Sequence, residues 1–577
     1  MKKKLLPALI VTGLIILVVI IMGITALINK YTPTKKTEDL KEYFNISSDD
    51  EVALIVNNEL SDYKAKIIDK KIYVDYKFVH DSLNSRFYWD ANENVLLYTT
   101  ASDIISAAAD SNSYSVTKQT NDFGYPIVKA TSDSALIALD YVKQYSNITF
   151  KSYDDPARIV ITSKWDEIDS ATVSKSTQVR VKGGIKSPIL KEVKKDDKIT
   201  ILDSGDKWDK VATEDGVIGY IKRKALSESK KTKLTNPDYE EETFTHIKKD
   251  KDICLAWNQV TSHSANSKVP QVISSTKGIN VMSPTWFYLN DNNGNLADIA
   301  SKDYVSYCHS QGIEVWGLFS NFENTDVDAA YVLTHTSTRT TLINQIMSAA
   351  FNYELDGVNI DFENITEAAY GDSYIEFIRE LAIKCHNNGI SLSVDVTVPA
   401  SFNKFFNRSD MANFADYIVI MGYDEHYKGS DAGSVSSIPW VTEGVESTLK
   451  EVPADQIILG MPFYTRIWEL TPKEDDDAVT DTEDQSKYTV ASQVYSMDAA
   501  AAQLATNNAT AALDEESGQN YAEWSVSNKL YKVWLEDTTS LEKRLKLVDD
   551  NKLAGAAFWK LGFENSSVWD TVIKYLN

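Results

Sequence analysis

The chain is long and acidic. It has 577 residues, with 83 Asp and Glu against 59 Lys and Arg, and a formal net charge of −24 at pH 7. A single hydrophobic core stops growing at about 300 residues, so this length predicts two to four domains. The acidic balance excludes a general nucleic-acid binder, because such proteins need basic patches to displace counterions.

An apolar run near the N-terminus predicts a membrane segment. Three lysines at positions 2–4 precede the run Leu5–Ile28, and about 20 apolar residues suffice to span a bilayer. The run also exceeds the apolar part of a cleaved signal, about 7–15 residues. We therefore predict a single-pass signal anchor over residues 1–30 at the cell membrane, with the rest of the chain extracellular. A cleaved signal is the alternative.

Residues 31–50 read as a polar linker, and from 51 to 165 strand-like runs alternate with turns. The runs "FYWD" and "NVLLYTT" flank Ala91–Glu93, a spacing that predicts a hairpin. The strand pattern of this segment resembles the copper amine oxidase N-terminal-like domain of bacterial envelope proteins. No histidine cluster is present, so no metal site is predicted here.

Residues 170–227 contain short strands at close spacing with glycines at the turns, which predicts a small all-β unit. The unit resembles a bacterial SH3 domain through Val179-Arg180-Val181, Trp208, Val211 and Gly219-Tyr220-Ile221. The resemblance implies a cell-wall peptide as its ligand. Under the alternative interpretation, Trp208 and Tyr220 only fill the core. A polar linker over 228–246 follows.

The three cysteines, Cys254, Cys308 and Cys385, show no spacing typical of a disulfide framework or a zinc site. Each lies in a segment that reads as buried strand or helix. We therefore expect small buried hydrophobic residues, and we predict no cofactor and no metal for this chain.

From residue 247 to 577, strand patterns alternate with helical ones. Eight strand candidates begin at Asp252, Ile279, Ile313, Asp356, Ile390, Asp416, Ile457 and Gly555. Eight β units with helical crossovers predict an α/β fold, the (β/α)8 TIM barrel. The gap after the seventh strand is too long for one helix, so an inserted α+β lobe is expected at about 469–537. Within it, the acidic run Glu474–Asp484 lacks the spacing of a calcium loop and is expected to be a solvated loop.

The fourth of these strands has one apolar and one polar face. In "DGVNIDFE", Val358, Ile360 and Phe362 alternate with Asn359, Asp361 and Glu363. Because successive side chains of a strand point to opposite faces, the acids are expected inside the barrel, where an unpaired carboxylate is costly. Active sites of such barrels lie at the carboxyl ends of the strands. We therefore predict catalytic carboxylates rather than acids neutralised by an interior Arg or Lys.

The motif "DGVNIDFE" resembles the DGxDxDxE signature of glycoside hydrolase family 18. Three further motifs follow in that family's order: "MGYD" (Met421–Asp424), "GMPFYTRIW" (Gly460–Trp468) and "FWKLGFE" (Phe558–Glu564). The resemblance implies a barrel hydrolase that acts on N-acetylglucosamine polymers with retention of configuration. Family 18 enzymes are substrate-assisted rather than dependent on two carboxylates.

The resemblance also assigns roles. Glu363 would protonate the glycosidic oxygen and later activate water, and Asp361 would hold the acetamido N–H of the sugar. Tyr423 would donate to the acetamido oxygen, and Trp559 would form an apolar floor. Further substrate contacts are expected from Asn359, Asp424, Arg466 and Met421. For Asp424 and Arg466, a structural ion pair is the alternative.

Departures from the family pattern bear on the substrate. Asn359 stands where the family usually has Asp, and we expect its amide to hydrogen-bond Asp361 and to remove one coupled titration. The run "GLFSNF" replaces the usual small-Gly-Gly run of the third strand, which argues against chitin. Asn359, "MGYDEHY" and "VWLED" (Val533–Asp537) resemble the subgroup of bacterial wall and spore-cortex N-acetylglucosaminidases, which act on peptidoglycan.

The sequence therefore predicts a membrane-anchored extracellular hydrolase that cleaves β-1,4 linkages after N-acetylglucosamine in peptidoglycan through an oxazolinium. Its expected partners are a polysaccharide, peptidoglycan or chitin-like, and the membrane, with no nucleic acid. One alternative is a chitinase or endo-β-N-acetylglucosaminidase that acts on chitin or glycans. The other is a catalytically silent wall-binding lectin, which the retained Glu363 disfavours.

Overall fold

The structure is a computed structural model that describes residues 5–48, 50–363, 365, 368–473 and 485–576. The chain forms two compact units. The first comprises Met1–Trp89, Ala107–Tyr114 and Asn121–Glu241, and the second comprises Asp90–Ser106, Ser115–Thr120 and Glu242–Asn577. The predicted acidic loop at 474–484 lies outside the described residues.

The first unit begins with helix α1 (Leu5–Tyr31). Its segment Leu9–Tyr31 has a mean hydropathy of 2.9, and none of it is buried. Among the described residues, this is the one helix that is long and apolar enough to cross a membrane. The predicted apolar helix is therefore present.

The next segment of the chain is rich in short strands. Its elements are α2 (Leu40–Tyr43), β1 (Glu51–Val56), β2 (Glu59–Ile68), β3 (Lys71–Asp75), α3 (Tyr76–Ser82), β4 (Phe87–Asp90), β5 (Val95–Thr99), β6 (Ile104–Ala108), β7 (Ser113–Val116), β8 (Gln119–Asp122), β9 (Val128–Ala130), β10 (Ala135–Ala138), α4 (Leu139–Gln144), β11 (Thr149–Tyr153) and β12 (Arg158–Thr162). One seven-stranded sheet has the order β11-β12-β1-β2-β3-β10-β9, and a five-stranded sheet has the order β4-β5-β6-β7-β8. Strands β4 and β5 are neighbours in that sheet, in agreement with the predicted hairpin.

A second seven-stranded sheet completes the first unit. Its strands are β13 (Glu167–Thr172), β14 (Thr177–Arg180), β15 (Ile189–Val193), β16 (Lys198–Asp203), β17 (Trp208–Thr213), β18 (Ile218–Lys222) and β19 (Lys230–Lys233), in the order β15-β14-β18-β17-β16-β13-β19. A Cβ atom on Gly219 would lie 2.5 Å from the carbonyl oxygen of Arg180, so this close strand pairing requires a glycine. Trp208 and Tyr220 are half-buried.

The second unit contains the largest set of elements. They are β20 (Ile253–Asn258), α5 (Val269–Ser274), β21 (Val281–Leu289), β22 (Leu296–Asp298), α6 (Lys302–Ser310), β23 (Glu314–Ser320), α7 (Ala329–Thr334), α8 (Thr336–Tyr353), β24 (Gly357–Asp361), α9 (Ala368–His386), β25 (Ser391–Thr397), α10 (Arg408–Phe414), β26 (Tyr417–Met421), α11 (Ile438–Thr448), β27 (Ile457–Pro462), β28 (Tyr464–Pro472), β29 (Tyr488–Ser496), α12 (Met497–Thr506), β30 (Ala512–Asp514), β31 (Gln519–Val526), β32 (Lys529–Leu535), α13 (Thr538–Asn551), β33 (Gly555–Trp559) and α14 (Val568–Tyr575).

Eight parallel strands of this unit close into a barrel. Their order is β20-β33-β27-β26-β25-β24-β23-β21, and β20 also pairs with β21. The predicted TIM barrel is therefore confirmed. Val358 and Ile360 of β24 join the core between strands and helices. The intervening Asn359 and Asp361 lie on the inner face of the strand, as their alternation predicts.

The seventh predicted strand divides between two sheets. Barrel strand β27 ends at Pro462, and β28 enters a separate antiparallel sheet of order β29-β28-β32-β31-β30, which together with α12 forms an α+β lobe. Phe463 lies between the two strands. It is fully buried, and its ring stacks on Phe558 at 5.0 Å. Its N–H also donates to the carbonyl oxygen of Trp559.

A hairpin from far earlier in the sequence belongs to the barrel unit. Asp90 Oδ2 accepts hydrogen bonds of 2.6 Å from both the N–H and the hydroxyl of Thr336, the first residue of α8. Glu93 accepts from the N–H of Ser337 at 3.0 Å and from its hydroxyl. The residue before the helix, His335, makes no side-chain cap bond. The hairpin therefore satisfies N–H groups that α8 cannot pair internally.

The three cysteines are free and buried, as predicted. Burial raises the pKa of the Cys254 thiol to about 12. Burial, with the nearby carboxylate of Asp356, does the same for Cys308. Both thiols therefore stay protonated and behave as small apolar groups.

Candidate active site

A cavity of about 830 Å³ lies at the carboxyl ends of the barrel strands. Six predicted site residues line it: Asp361, Glu363, Met421, Tyr423, Asp424 and Trp559. They lie at or just after the ends of strands β24, β26 and β33. This is the face where TIM barrels carry their active sites.

Glu363 follows the end of β24 and is exposed within the cavity. Its N–H donates to Asn321 Oδ1 at 3.1 Å, which fixes the backbone at this turn. Desolvation by the surrounding barrel, together with the carboxylates of Asp424 and Glu323, raises the pKa of Glu363. A carboxyl group with a raised pKa suits a general acid.

Asp361 is the most confined acid of the site. It is 6% exposed, and its buried Oδ1 has no hydrogen-bond partner. Burial raises its pKa well above the ordinary value, and the carboxylates of Asp395, Glu363 and Glu323 add to that effect. An unpaired buried oxygen is costly, so a ligand N–H at this position would relieve a penalty that the free protein carries.

The structure corrects the expectations for Asn359. This residue is completely buried and does not line the cavity, so it cannot contact a bound sugar. Its Nδ2 donates to Ser393 Oγ at 3.0 Å and to Asp395 Oδ1 at 2.7 Å, not to Asp361. Residues two apart in a strand are separated by about 6.6 Å, whereas neighbouring strands lie about 4.8 Å apart. The amide therefore bonds across to β25 rather than along its own strand.

Three aromatic residues form one side of the cavity. The Trp257 ring meets Trp559 at 6.0 Å and Tyr423 at 6.4 Å, both edge to face, a favourable arrangement for aromatic pairs. Trp257 is 1% exposed, whereas the other two are half-buried. Trp257 thus supports both rings from behind while they face the cavity.

Arg466 is not part of the cavity wall, so its prediction as a pocket residue is wrong. Strand β28 carries it into the sheet of the lobe, where its Nη1 lies 3.5 Å from Ser492 Oγ. Its Nη2 lies 3.5 Å from Asp424 Oδ1, a loose ion pair. Asp424 also accepts a 2.5 Å hydrogen bond from the Tyr464 hydroxyl. The ion-pair alternative therefore describes Arg466.

Several cavity residues were not predicted from the sequence, and Trp257, Glu323 and Asp395 are among them. Asp395 is 3% exposed and lies on β25. Burial and Glu363 raise its pKa well above the ordinary value, while the bond from Asn359 opposes that rise. A signal existed, because "SLSVDVT" alternates polar and apolar residues just as "DGVNIDFE" does. Glu323 lies in a loop with no such pattern.

No cation is among the groups that shift the pKa values of Asp361, Glu363 and Asp395. Those groups are other acids and the Asn359 amide. The interior Arg or Lys that would make these acids structural is therefore not found among the described residues around the site.

A closed barrel with clustered acids and an aromatic-sided cavity at its strand ends is suited to binding a sugar and cleaving a glycosidic bond. Residues 320–564 match the family model Glycosyl hydrolases family 18. The chain therefore carries a glycosyl hydrolase family 18 domain, and the protein is an enzyme of that chitinase-like class.

Curated relatives cover about half of this chain. The Uncharacterized glycosylase YvbX of Bacillus subtilis (strain 168) is 24% identical over 302 residues, which are 49% of this chain and 81% of that protein. The Cortical fragment-lytic enzyme of the same organism is 24% identical over 287 residues, 48% of this chain and 63% of that protein. Among solved structures, the Bacillus cereus spore cortex-lytic enzyme SleL has a TM-score of 0.50 at 18% identity, covering 60% of this chain and 79% of that chain. That likeness concerns the fold alone.

Proposed function

We propose that this protein is a membrane-anchored extracellular glycosidase that cleaves peptidoglycan after N-acetylglucosamine by a retaining, substrate-assisted mechanism. One observation carries the proposal. Glu363, exposed in the cavity with a raised pKa, stands two residues from Asp361, whose buried Oδ1 has no partner. The first group is suited to give a proton, and the second to accept an N–H.

The chemistry follows from these two groups. The Glu363 proton passes to the glycosidic oxygen as the bond from the anomeric carbon to that oxygen breaks. The acetamido oxygen of the same sugar forms a bond to the anomeric carbon, which gives an oxazolinium. Asp361 accepts the acetamido N–H and opposes the positive charge of this ring. Water then adds to the anomeric carbon as the bond from that carbon to the acetamido oxygen breaks, and the water gives a proton to Glu363.

The aromatic residues complete the site in this proposal. The Tyr423 hydroxyl donates to the acetamido oxygen and holds it in line with the anomeric carbon, which lowers the entropic part of the barrier. Trp559 lies under the apolar face of the sugar, supported by Trp257 at 6.0 Å. No further protein nucleophile is needed, because the attacking oxygen belongs to the substrate.

Peptidoglycan is favoured over chitin by two observations. Asn359 and the run "GLFSNF" depart from the chitinase-type pattern. One relative, 24% identical over about half of this chain, is named for lysis of cortical fragments. Chitinase activity remains the second candidate, because its chemistry at Glu363 and Asp361 is the same.

Product analysis tests the proposal. The full-length protein in detergent is incubated separately with peptidoglycan sacculi and with chitin, and the products are identified by mass spectrometry. We expect muropeptides with reducing N-acetylglucosamine ends from peptidoglycan alone. Glu363→Gln should abolish release while sedimentation with sacculi is retained, and the exposed Glu443→Gln should behave as wild type. Products from chitin alone identify a chitinase, and no product from either polymer contradicts an active enzyme.

The anchor has a separate test. Helix α1 is apolar and exposed along its length, which suits a bilayer. We expect the full chain to stay in the membrane fraction after alkaline extraction and to be digested by protease added outside intact cells. A variant that lacks residues 1–31 should be extracted. An N-terminus of the mature protein that begins after the apolar run would identify a cleaved signal instead.

The β modules are proposed to hold the enzyme near the wall. In the SH3-like segment 170–227, the half-buried Trp208 has Lys222 Nζ 5.7 Å from its ring centre, and Tyr220 is also half-buried. A peptide with acidic groups suits such a surface. The domain limits 51–165, 170–227 and 247–577 with the copper amine oxidase-like and SH3-like resemblances stay predictions.

A further inference from the structure

Asp361 and Asp395 lie side by side on neighbouring strands. The register of β24 and β25 pairs Asn359 with Ser393 and Ile360 with Val394. Continuing it by one residue brings Asp361 beside Asp395, on strands about 4.8 Å apart. Both side chains line the same cavity. Two buried carboxyl groups at such a separation do not easily both ionise.

The Asn359 amide cannot take part in proton sharing, but it holds the carboxyl group of Asp395, which can. Its Nδ2 donates to Asp395 Oδ1 at 2.7 Å, and an amide remains a donor at every pH at which the protein is folded. Its Oδ1 is occupied by Trp257 Nε1 at 2.9 Å and Ser283 Oγ at 3.0 Å. The amide therefore cannot rotate to offer its oxygen to Asp395 without losing two hydrogen bonds.

We propose that Asp395 is a positioning residue that shares one proton with Asp361 across strands β24 and β25. The proposal rests on the proposed function, since it concerns how Asp361 becomes an acceptor for the acetamido group.

The titratable groups around this pair would keep one proton on it. Glu363 follows β24, Glu323 follows β23, and both are acids whose charge disfavours a second ionisation of the pair. Tyr423 after β26 and Tyr374 on α9 also face the two aspartates. Tyr374 is fully buried, with its hydroxyl unpartnered. No Lys, Arg or His is among the groups that shift either aspartate.

The shared proton moves when substrate binds. In the free enzyme it resides on Asp361, because the bond from Asn359 favours the ionised form of Asp395. When the acetamido N–H of the sugar reaches Asp361, the proton passes from Asp361 to the second oxygen of Asp395. Asp361 is then a carboxylate against the positive oxazolinium, and the total charge of the pair stays at −1 throughout.

Infrared spectroscopy tests directly whether the pair of aspartates carries a proton, and it does not depend on enzyme activity. The full-length protein is labelled with ¹³C-aspartate, so that the carbonyl stretch of protonated Asp separates from that of Glu. We expect the wild type to retain a protonated-Asp band at pH 7 that Asp395→Asn removes. The exposed Asp303→Asn is the control and should keep the band. A band unchanged in Asp395→Asn overturns the proposal.

Kinetics on peptidoglycan provide the second readout. Asp395→Asn should lower kcat by about 100-fold, within the range of a lost proton transfer, with KM changed by less than about threefold. An unchanged kcat, or a variant whose loss lies in KM alone, contradicts the proposal. If the wild type cleaves no polymer, the proposed function fails. The infrared band still tests whether Asp361 and Asp395 share a proton.

Discussion

Asn359 donates a 2.7 Å hydrogen bond to Asp395, and this contact joins strand β24 to its neighbour β25. The same amide also donates to Ser393 and accepts from Trp257 and Ser283. All four hydrogen-bonding positions of the side chain are therefore filled, and the amide ties β24 to three other barrel strands. Where the family usually has a carboxylate at this position, the present chain carries its second buried acid on the adjacent strand.

The pH dependence of activity should respond to Glu323. The pKa of Glu363 is raised, and in the proposed mechanism its protonated form donates the proton, so activity should be lost as the pH rises through that pKa. Glu323→Gln removes a negative charge that supports the raised pKa, so the alkaline limb of the kcat/KM profile should move to lower pH. The exposed Asp303→Asn is the control and should leave the limb in place. An alkaline limb that does not move in Glu323→Gln would exclude this coupling.

Trp559 should matter for the sugar rather than for the fold. A large apolar contact contributes about 2 kcal/mol, so Trp559→Ala should lower kcat/KM for peptidoglycan fragments by about 30-fold. Trp559→Phe keeps a ring against Trp257 and should lose less. Trp524→Ala, which removes a half-buried tryptophan from the sheet of the lobe, is the control. Equal losses in Trp559→Ala and Trp524→Ala would argue against a floor beneath the sugar.

The hairpin that caps helix α8 should stabilise its first turn. Loss of a side-chain cap costs about 1 kcal/mol, so Asp90→Ala should raise amide exchange in the peptide that begins at Thr336 by about fivefold. Hydrogen exchange with mass spectrometry measures this in the full chain. Glu59→Gln, at an exposed position on β2, should change nothing there. Unaltered exchange in Asp90→Ala would mean that water caps this helix equally well.

The motif "VWLED" contains one half of a buried ion pair. Glu536 accepts hydrogen bonds from Arg544 Nη1 at 2.7 Å and Nη2 at 2.8 Å, and both side chains are almost completely buried. Arg544→Met leaves a buried carboxylate without its cation, which should cost about 3–5 kcal/mol in the urea unfolding of the barrel unit.

Two checks separate this effect from lost packing. Burial raises the pKa of Glu536 even with Arg544 present. In Arg544→Met a folded-state pKa above the unfolded value makes stability fall as the pH rises, so the deficit should shrink towards acidic pH. The double variant Arg544→Met/Glu536→Leu should regain most of the loss. A deficit that is independent of pH would indicate a packing defect.

The barrel strands and the position of the lobe could be predicted because alternation along a strand reports burial directly. Val358 and Ile360 had to face a core, and the acids between them had to face the barrel interior. The same alternation marked Asp395 in "SLSVDVT", but its importance depends on which strand lies beside β24. That adjacency is a property of the closed barrel rather than of local sequence.

Other features depend on contacts between distant segments. The partner of Asn359 was mispredicted because distance along a strand exceeds distance between strands. The resemblance to the family motif places Arg466 in the pocket, but the strand pattern "IILGMPFYTRIW" gives no sign that β27 ends before Phe463 and that β28 enters another sheet after it. The pairing of Asp90 with Thr336 cannot be recognised in either segment alone, since an acid at the end of a strand and a threonine at the start of a helix are both common.

The distance in sequence between Asp90 and Thr336 affects how this protein folds. The two residues are 246 positions apart, and closing so long a loop costs entropy that grows with the logarithm of its length. Folding rates fall as contacts become more remote in sequence. During synthesis the hairpin is made well before helix α8. Asp90 and Glu93 therefore have no helix N–H groups to accept from until α8 has formed. The barrel unit is therefore complete only after this early hairpin has packed against the start of helix α8.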